Sequence, residues 1–328
     1  MQHYDYSDVD GVGSSTLIYV AALKLQLPHI FVRLVYSIRL FNYLVKLVFM
    51  IKKIVALSFF CTITSAYALP FGSQSAIVVE EGTGKVLLEK NADNVVPIAS
   101  LTKLMTAMVV LDAKPDMEEH ISIDESDVDV IKHSTSRVPV GVSLPRKDVL
   151  QLALMSSDNR AAASLARTYP GGKAAFEIAV QAKLKALGMT HTVLEEPTGL
   201  DYHNRSTAAD LVKMAEAASH YSDITRITTD SHDAISINGR IVNYHNTNGF
   251  VGKKGWDILL SKTGYTLEAG RCMIMKLKSA GKNVVVVLLN AGANSTRSRD
   301  ALNVRRFLSG EKTVIAVAKT RRGKHARV

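Results

Sequence analysis

Residues 97–111, PIASLTKLMTAMVVL, combine a proline, an apolar run at helical spacing, and a serine followed by a lysine one turn later. The run predicts a helix that begins at or next to Ser100, and the spacing places Lys103 on the same helical face. Serine is a weak nucleophile unless a base lies beside it. A lysine becomes that base only if burial or a second cation lowers its pKa. The stretch therefore predicts a nucleophile and its base on one rigid element, with a second cation supplied from elsewhere.

The composition indicates a globular protein, since the 328 residues are 47% hydrophobic and 21% charged, with a formal net charge of +10. A basic balance is compatible with nucleic acid, an anionic membrane surface or an acidic polymer. We expect no nucleic-acid partner, because RNP-type aromatic motifs, zinc-finger spacings and a basic helix are missing. The two cysteines, Cys61 and Cys272, form no CxxC motif and favour no zinc site. We expect Cys272 to pack in the core.

Residues 50–68 have the three parts of a secretory signal peptide: two lysines, an apolar run, and an Ala-Tyr-Ala cleavage pattern before Leu69. Because a signal peptide begins a chain, we interpret Met50 as the true start and residues 1–49 as an upstream extension. Mass spectrometry of the precursor would check this interpretation. A precursor that begins at Met1 would favour a signal anchor instead.

Residues 311–328 form a basic tail. Its cations are Lys319, Arg321, Arg322, Lys324 and Arg327. We interpret the tail as a solvated end of the chain. The functional alternative is weak attraction to a membrane surface or a wall polymer, at about 1 kcal/mol per cation next to an anionic surface.

Strand and helix patterns divide the chain into three blocks. Strand patterns at residues 75–80 and 85–89 precede the Ser100 helix, and helical patterns dominate from about residue 112 to 248. Three strand patterns and a last helix follow, at residues 258–263, 271–278, 283–289 and 296–308. This order favours one sheet closed by both chain ends with a helical lobe inserted, in one catalytic unit of residues 69–310.

A second motif, Ser157-Asp158-Asn159, follows an apolar helical pattern at residues 147–155. All three side chains are good N-caps for a helix over residues 160–169, so the triplet has a structural as well as a functional interpretation.

The third motif, Lys262-Thr263-Gly264, ends an apolar strand. Its lysine provides the second cation that the Ser100–Lys103 pair needs, and its glycine lets backbone approach a ligand closely. The structural alternative is an edge strand protected by a lysine. Two further Ser-x-x-Lys matches, at Ser279 and Ser309, do not begin an apolar helix.

In this order the three motifs resemble those of the penicillin-recognising serine enzymes. The residues around them are similar to the low-molecular-mass D-Ala-D-Ala peptidases at positions 97–107, 196–200, 206–211 and 261–266. Residues 153–166 resemble the D-alanyl-D-alanine endopeptidase branch, and the resemblance extends over about residues 74–310.

The resemblance implies a serine β-lactamase/transpeptidase-like fold of the α+β class. This is an α/β/α sandwich with an antiparallel five-stranded sheet, flanking helices and an inserted helical lobe. It further implies a periplasmic serine-type endopeptidase that hydrolyses D-Ala–diaminopimelate cross-links in peptidoglycan through an acyl-enzyme. β-Lactams would be covalent inhibitors, and no metal or cofactor would be needed.

The resemblance also implies a role for each motif residue. The implied catalytic residues are Ser100 as the acylated nucleophile, Lys103 as its base and Ser157 as a proton relay. The implied substrate-binding residues are Asn159, Lys262, Thr263, Gly264 and Tyr265. Lys262 would also keep Lys103 neutral, and the backbone N–H groups of Ser100 and Tyr265 would form the oxyanion hole.

Three alternatives stay open. D-Ala-D-Ala carboxypeptidases usually carry a further β-rich domain and an amphipathic anchor, whereas only a basic tail follows residue 310 here. A class A β-lactamase needs a carboxylate to activate the deacylating water. The nearest candidates, Glu195 and Glu196, precede a Pro-Thr-Gly-Leu stretch that matches the peptidases. The third alternative is a wall-binding or β-lactam-sensing module that is acylated without turnover.

Overall fold

The computed structural model describes residues 37, 39–48, 50 and 71–311. The chain divides into two units, Met1–Tyr67 and Ala68–Val328, and in the first of these residues 37, 39–48 and 50 are helical. No helix among the described residues is both long enough and apolar enough to cross a membrane. The predicted signal peptide beyond residue 50 and the basic tail beyond residue 311 lie outside the described residues.

The second unit contains strands, short 3-10 turns and helices. The strands are β1 (Ser75–Glu80), β2 (Lys85–Lys90), β3 (Val96–Pro97), β4 (His120–Ser122), β5 (Ser143–Pro145), β6 (Arg205–Ser206), β7 (His232–Ile237), β8 (Arg240–His245), β9 (Asp257–Thr266), β10 (Gly270–Ser279) and β11 (Lys282–Ala291). The helices are α1 (Lys103–Asp112), α2 (Arg146–Met155), α3 (Asn159–Arg167), α4 (Gly172–Ala186), α5 (Ala208–Ala218), α6 (Ser222–Thr229) and α7 (Asn294–Leu308).

Five strands form an antiparallel sheet in the order β2-β1-β11-β10-β9. The pairing of β1 with β11 joins the first and last strands of the unit, which confirms the prediction that both chain ends close one sheet. Strand β9, which carries the Lys-Thr-Gly motif, lies at one edge of the sheet. The motif's backbone is therefore paired on one side only, with β10.

Strand β11 explains why residues 284–289 are apolar without interruption. Alternate side chains of a strand point to opposite faces of the sheet. Val285, Val287 and Leu289 pack in the larger core with the helical lobe. Val284, Val286 and Leu288 pack in a smaller core with Ala301 and Val304 of α7. Both faces of the sheet are covered by helices, as the predicted α/β/α sandwich requires.

Helix α1 is buried on nearly all sides and contacts each of the helices α2 to α6. A helix that is apolar all round belongs inside a protein. The Ser100 stretch thus forms the centre of the helical lobe, and its rigidity comes from packing.

The helical lobe differs from its prediction in one respect. Helical patterns dominate residues 112–248, but the strand pairs β4–β5 and β7–β8 interrupt them. The β7–β8 turn is Asn238-Gly239, and both residues have a positive φ, of 50° and 75°. Asn-Gly is the preferred two-residue hairpin turn, so the local signal was present. Cys272 is fully buried in β10, which confirms its predicted place in the core.

Candidate active site

Ser100 lies in a 3-10 turn, Ala99–Thr102, that leads directly into α1. Ala99 adopts a left-handed conformation with φ 48°, which is unfavourable for a residue with a Cβ. Two glycines hold this turn from opposite segments. A Cβ on Gly264 would lie 2.9 Å from the Ser100 backbone nitrogen, and one on Gly199 would lie 1.9 Å from the Ala99 carbonyl oxygen. The backbone of the nucleophile is therefore fixed by three segments that are distant in sequence.

Lys103 lies beneath Ser100 with only 1% of its surface exposed. Its Nζ lies 3.0 Å from Ser100 Oγ and donates to Asn159 Oδ1 at 2.6 Å and to the Thr198 carbonyl at 2.7 Å. A neutral amine has two N–H donors and one lone pair. Two partners of Lys103 are obligate acceptors and the third is a hydroxyl, so a neutral Lys103 has its lone pair free to accept the Ser100 proton.

Burial supplies the pKa shift that the sequence requires of this base. Removal from water lowers the pKa of Lys103 to about 8, and the opposing attraction of Glu196, Asp158 and Asp129 does not cancel the effect. Desolvation disfavours the charged form of a lysine. About a tenth of the amine is therefore neutral at pH 7, far more than for a lysine in water.

We expect the rate of Ser100 acylation to follow this ionisation. Below the pKa of about 8 the lysine holds its proton and has no lone pair, so the rate rises with pH, about tenfold per unit at the acidic end, and levels off above 8. Labelling by a fluorescent penicillin from pH 6 to 9.5 measures this, with melting temperatures over the same range as the control. A flat profile would contradict Lys103 as the base.

Lys262, on β9, faces the same centre and is as deeply buried as Lys103. Its Nζ donates to Ser157 Oγ at 2.8 Å and to the Thr263 carbonyl at 3.0 Å. Burial, then the charge of Lys103, then that of Arg297 lower the pKa of Lys262 well below its ordinary value. Two buried ammonium groups repel each other and lose their hydration, so the pair Lys103 and Lys262 is more stable when one of the two lysines has lost a proton.

The Ser157-Asp158-Asn159 triplet serves both interpretations given from the sequence. Asp158 is the N-cap of α3 and accepts from the backbone nitrogen of Ala161 at 3.0 Å. Ser157 has a positive φ of 61°, and its hydroxyl meets Lys262. Asn159 joins Lys103 to the neighbouring loop, because its Nδ2 donates to Ser134 Oγ at 2.8 Å. The cap positions the two flanking side chains at the centre.

The remaining predicted residues follow along the edge strand β9. Thr263 Oγ1 donates to Thr247 Oγ1 at 2.7 Å. The Tyr265 side chain is 46% exposed, and the guanidinium of Arg271 lies 3.5 Å from the centre of its ring. The structure therefore brings Ser100, Lys103, Ser157, Asn159 and the Lys-Thr-Gly strand together at one cleft.

Glu196, which the sequence suggested only as a candidate carboxylate for a β-lactamase, organises a loop at the site. Its carboxylate accepts from the Thr198 backbone nitrogen at 2.7 Å, from Asn204 Nδ2 at 3.0 Å, and from the Gly199 backbone nitrogen. Both carboxylate oxygens are engaged in holding the loop whose Thr198 carbonyl meets Lys103. This arrangement differs from the water-activating carboxylate that a class A β-lactamase requires.

Arg297 of α7 is a residue that the sequence did not assign. It is 8% exposed, its Nη1 donates to the Cys272 carbonyl at 3.0 Å, and its Nε has no hydrogen-bond partner among the described residues. Within residues 71–311, no carboxylate forms a salt bridge with it. The sequence signal was an arginine in line with the buried Ala301 and Val304 of the same helix.

One group of potential metal ligands occurs in the described second unit. Glu195, Asp201 and His203 place their ligand atoms within 4.8 Å of one another. Asp201 Oδ1 lies 2.8 Å from His203 Nδ1, and this hydrogen bond accounts for their approach. We assign no metal to the group, and the implied absence of a metal requirement stays a prediction.

The chain is similar to proteins of known activity. A family model described as D-alanyl-D-alanine carboxypeptidase matches residues 62–293. A D-alanyl-D-alanine endopeptidase of Pseudomonas aeruginosa is 46% identical over 249 residues, which cover 75% of this chain and 80% of the relative. A D-alanyl-D-alanine endopeptidase of Escherichia coli is 42% identical over 253 residues, which cover 76% and 82%.

A solved structure, that of the Streptomyces K15 DD-transpeptidase, superposes on this chain with a TM-score of 0.67 and 25% identity. The match covers 72% of this chain and 97% of the transpeptidase. The similarity therefore includes nearly the whole of the second unit.

Proposed function

Because this chain belongs to the D-alanyl-D-alanine carboxypeptidase family of serine peptidases, we propose that it is a D-alanyl-D-alanine endopeptidase that hydrolyses D-Ala–diaminopimelate cross-links in peptidoglycan. The observation that carries the chemistry is the buried contact of 3.0 Å between Lys103 Nζ and Ser100 Oγ. The choice of cross-link over free peptide end is supported by the names of the two relatives at 46% and 42% identity.

In the proposed acylation, neutral Lys103 takes the proton of Ser100 while Oγ attacks the carbonyl carbon of the D-Ala residue. The backbone N–H groups of Ser100 and Tyr265 stabilise the oxyanion, at about 3–4 kcal/mol per donor. As the C–N bond breaks, the Ser157 hydroxyl gives its proton to the leaving nitrogen and recovers one from the lysine pair. The products of this step are the acyl-enzyme ester and a free amine.

In the proposed deacylation, water attacks the ester carbon and gives a proton to Lys103. The C–O bond to Ser100 breaks, and Oγ recovers its proton as the D-Ala carboxylate leaves. A β-lactam inhibits because it presents a strained amide to the same nucleophile and leaves an acyl group on Ser100.

The positive charge near the Lys-Thr-Gly motif is complementary to the negative charge of the leaving group. In a D-Ala–diaminopimelate link, the carbon that bears the scissile nitrogen also carries a carboxylate. Lys262 is a buried cation of the motif, and the buried Arg297 donates to the carbonyl of Cys272, the residue of β10 that pairs with Gly264, so both cations lie close to the motif. We infer that this carboxylate binds near Thr263, with Asn159 and Gly264 holding the amide beside Ser100.

The proposed compartment is the periplasm, where peptidoglycan is accessible to a secreted enzyme. The pattern of residues 50–68 supports export. A contact of the basic tail with a membrane or wall polymer, and the division into residues 1–49, 50–68, 69–310 and 311–328, stay predictions.

We expect the purified protein to convert a cross-linked muropeptide dimer into monomers without loss of terminal D-alanine. Products are identified by mass, and a pentapeptide monomer is tested in parallel. Ser100→Ala is the control and yields no product from either substrate.

Other outcomes select the alternatives. Loss of D-alanine from the pentapeptide alone would make the protein a carboxypeptidase. No product from either substrate, with Ser100 still labelled by penicillin, would contradict the enzyme proposal and favour a sensing module.

A further inference from the structure

An ion pair joins two segments that border the active site, here called its rims: the loop of residues 129–134, which contacts Asn159, and the turn of residues 267–269 between β9 and β10. Lys132 Nζ contacts Glu268 Oε1, although the two residues are 136 positions apart in the chain. Their side chains are 30% and 37% exposed, so solvent and ligands reach the pair. One residue belongs to the helical lobe, and the other belongs to the turn between β9 and β10.

Hydrogen bonds within the loop itself hold the rim that carries Lys132. The Asp129 carboxylate accepts from the backbone nitrogens of Ile131, Lys132 and Ser134 at 2.8, 2.9 and 2.8 Å. The Ser134 hydroxyl in turn accepts from Asn159, which also contacts Lys103. The position of Lys132 is therefore fixed relative to the catalytic lysine.

The rim that carries Glu268 is equally fixed. Glu268 is three residues after Tyr265, whose backbone N–H is the proposed second donor of the oxyanion hole. Thr266 Oγ1 accepts from the Ala269 backbone nitrogen at 3.1 Å and closes the turn, and Ala269 is fully buried. The backbone of the turn that carries Glu268 is thus held in place just beyond the end of β9.

The charges at the site favour one orientation of a bound peptide along β9. Lys262 and Arg297 place positive charge beside the Lys-Thr-Gly motif, and the proposed site of the leaving residue's carboxylate is near Thr263. An extended peptide that pairs with the open edge of β9 then carries its acyl part the other way, past Tyr265 toward Glu268. Strand β9 ends at Thr266, and Glu268 lies in the turn that follows it. The acyl part therefore passes Tyr265 and meets this turn, and it has one extended residue of about 3.5 Å and the three-methylene side chain of diaminopimelate with which to reach Glu268.

We propose that Lys132 and Glu268 form a recognition site for the zwitterionic end of the diaminopimelate side chain in the acyl-donor peptide. This inference rests on the proposed endopeptidase function. That end carries a carboxylate and an ammonium on one carbon. Lys132 binds the carboxylate and Glu268 binds the ammonium, so each protein charge exchanges one partner for another and none is left unpaired. Charge-assisted hydrogen bonds of this kind are the stronger ones in proteins.

The test compares two muropeptide dimers that differ only in the donor diaminopimelate, whose free carboxylate is either intact or converted to a carboxamide. We expect the native protein to cleave the intact dimer with a kcat/KM about tenfold higher. In Lys132→Met the ratio of the two kcat/KM values falls to about 1, since the group that reads the carboxylate is gone. Glu268→Gln lowers cleavage of both dimers, because both retain the ammonium.

The matched control is Lys147→Met, which removes the lysine of another exposed ion pair of the helical lobe, that with Glu118. It keeps the tenfold ratio. Titration with fluorescent penicillin counts the folded active sites in every preparation.

Three results would overturn the proposal. Equal cleavage of both dimers by the native protein would show that the carboxylate is not recognised. If the ratio of the two kcat/KM values stays tenfold in Lys132→Met while both values fall equally, the ion pair would have only a structural role in holding the two rims together. Cleavage of neither dimer by a protein that penicillin still labels would reject the endopeptidase function itself, and this inference with it.

Discussion

Lys103→Met is expected to remove acylation of Ser100 almost completely while leaving the fold in place. Removal of a positioned general base costs about 10²- to 10⁴-fold in rate. Methionine fills nearly the same volume and needs no desolvation of a charge, but it leaves the Asn159 and Thr198 acceptors without their donor. We therefore expect a modest change in the free energy of unfolding and a large change in rate.

The measurement is the rate of labelling by a fluorescent penicillin, together with far-UV circular dichroism and a thermal melt. Lys276→Met is the control, because Lys276 is a buried lysine on β10 whose partners, Glu81 and Ser219, lie outside the cleft. Labelling of Lys103→Met at a rate near that of the native protein would reject Lys103 as the base.

Gly199→Ala is expected to reduce acylation by more than about 100-fold through the backbone alone. A Cβ at this position would lie 1.9 Å from the Ala99 carbonyl oxygen and 2.3 Å from its carbon. Real Cβ atoms do not approach backbone so closely, so either the loop or the turn that carries Ser100 must move. A displacement of about 1 Å at a catalytic group is enough to cost about 10²-fold.

The chain offers a matched control for the backbone strain in this variant. Gly82, in the β1–β2 turn, has φ 81° against 85° for Gly199, but nothing lies within 4 Å of its Cβ position. Gly82→Ala therefore carries a similar conformational cost, about 1–2 kcal/mol, without the collision. If both variants were acylated at similar rates, the proposed role of Gly199 in positioning Ser100 would be wrong.

The parts of the fold that could be predicted are those written in local patterns. The apolar run of β11, the helix after Ser100 and the cap at Asp158 each depend on neighbours within a few residues. Their order along the chain was enough to predict one sheet closed by both ends. The β7–β8 hairpin was missed although its Asn-Gly turn is a local signal, because the helical patterns around it were stronger.

The parts of the site that could not be predicted are long-range contacts between side chains. The Thr198 carbonyl reaches Lys103 across 95 positions, and Lys132 reaches Glu268 across 136. No spacing in the sequence encodes such contacts, since they exist only once the loops have been closed by packing elsewhere. Arg297 was missed for a related reason, because its burial depends on the sheet beneath α7.

The order of the strands has a consequence for when the protein becomes active during its synthesis. Strand β11 lies between β1 and β10, yet it is the last strand to be made. The β1–β2 hairpin cannot pair with β11 until that strand has been made, and Ser100 is made long before Lys262. An incomplete chain therefore carries Ser100 without the Lys-Thr-Gly strand of its active site. Sheets closed by such distant pairings also form slowly. We therefore expect the incomplete polypeptide to have no hydrolytic activity, and activity to begin only once strands β9 to β11 have been made and have paired.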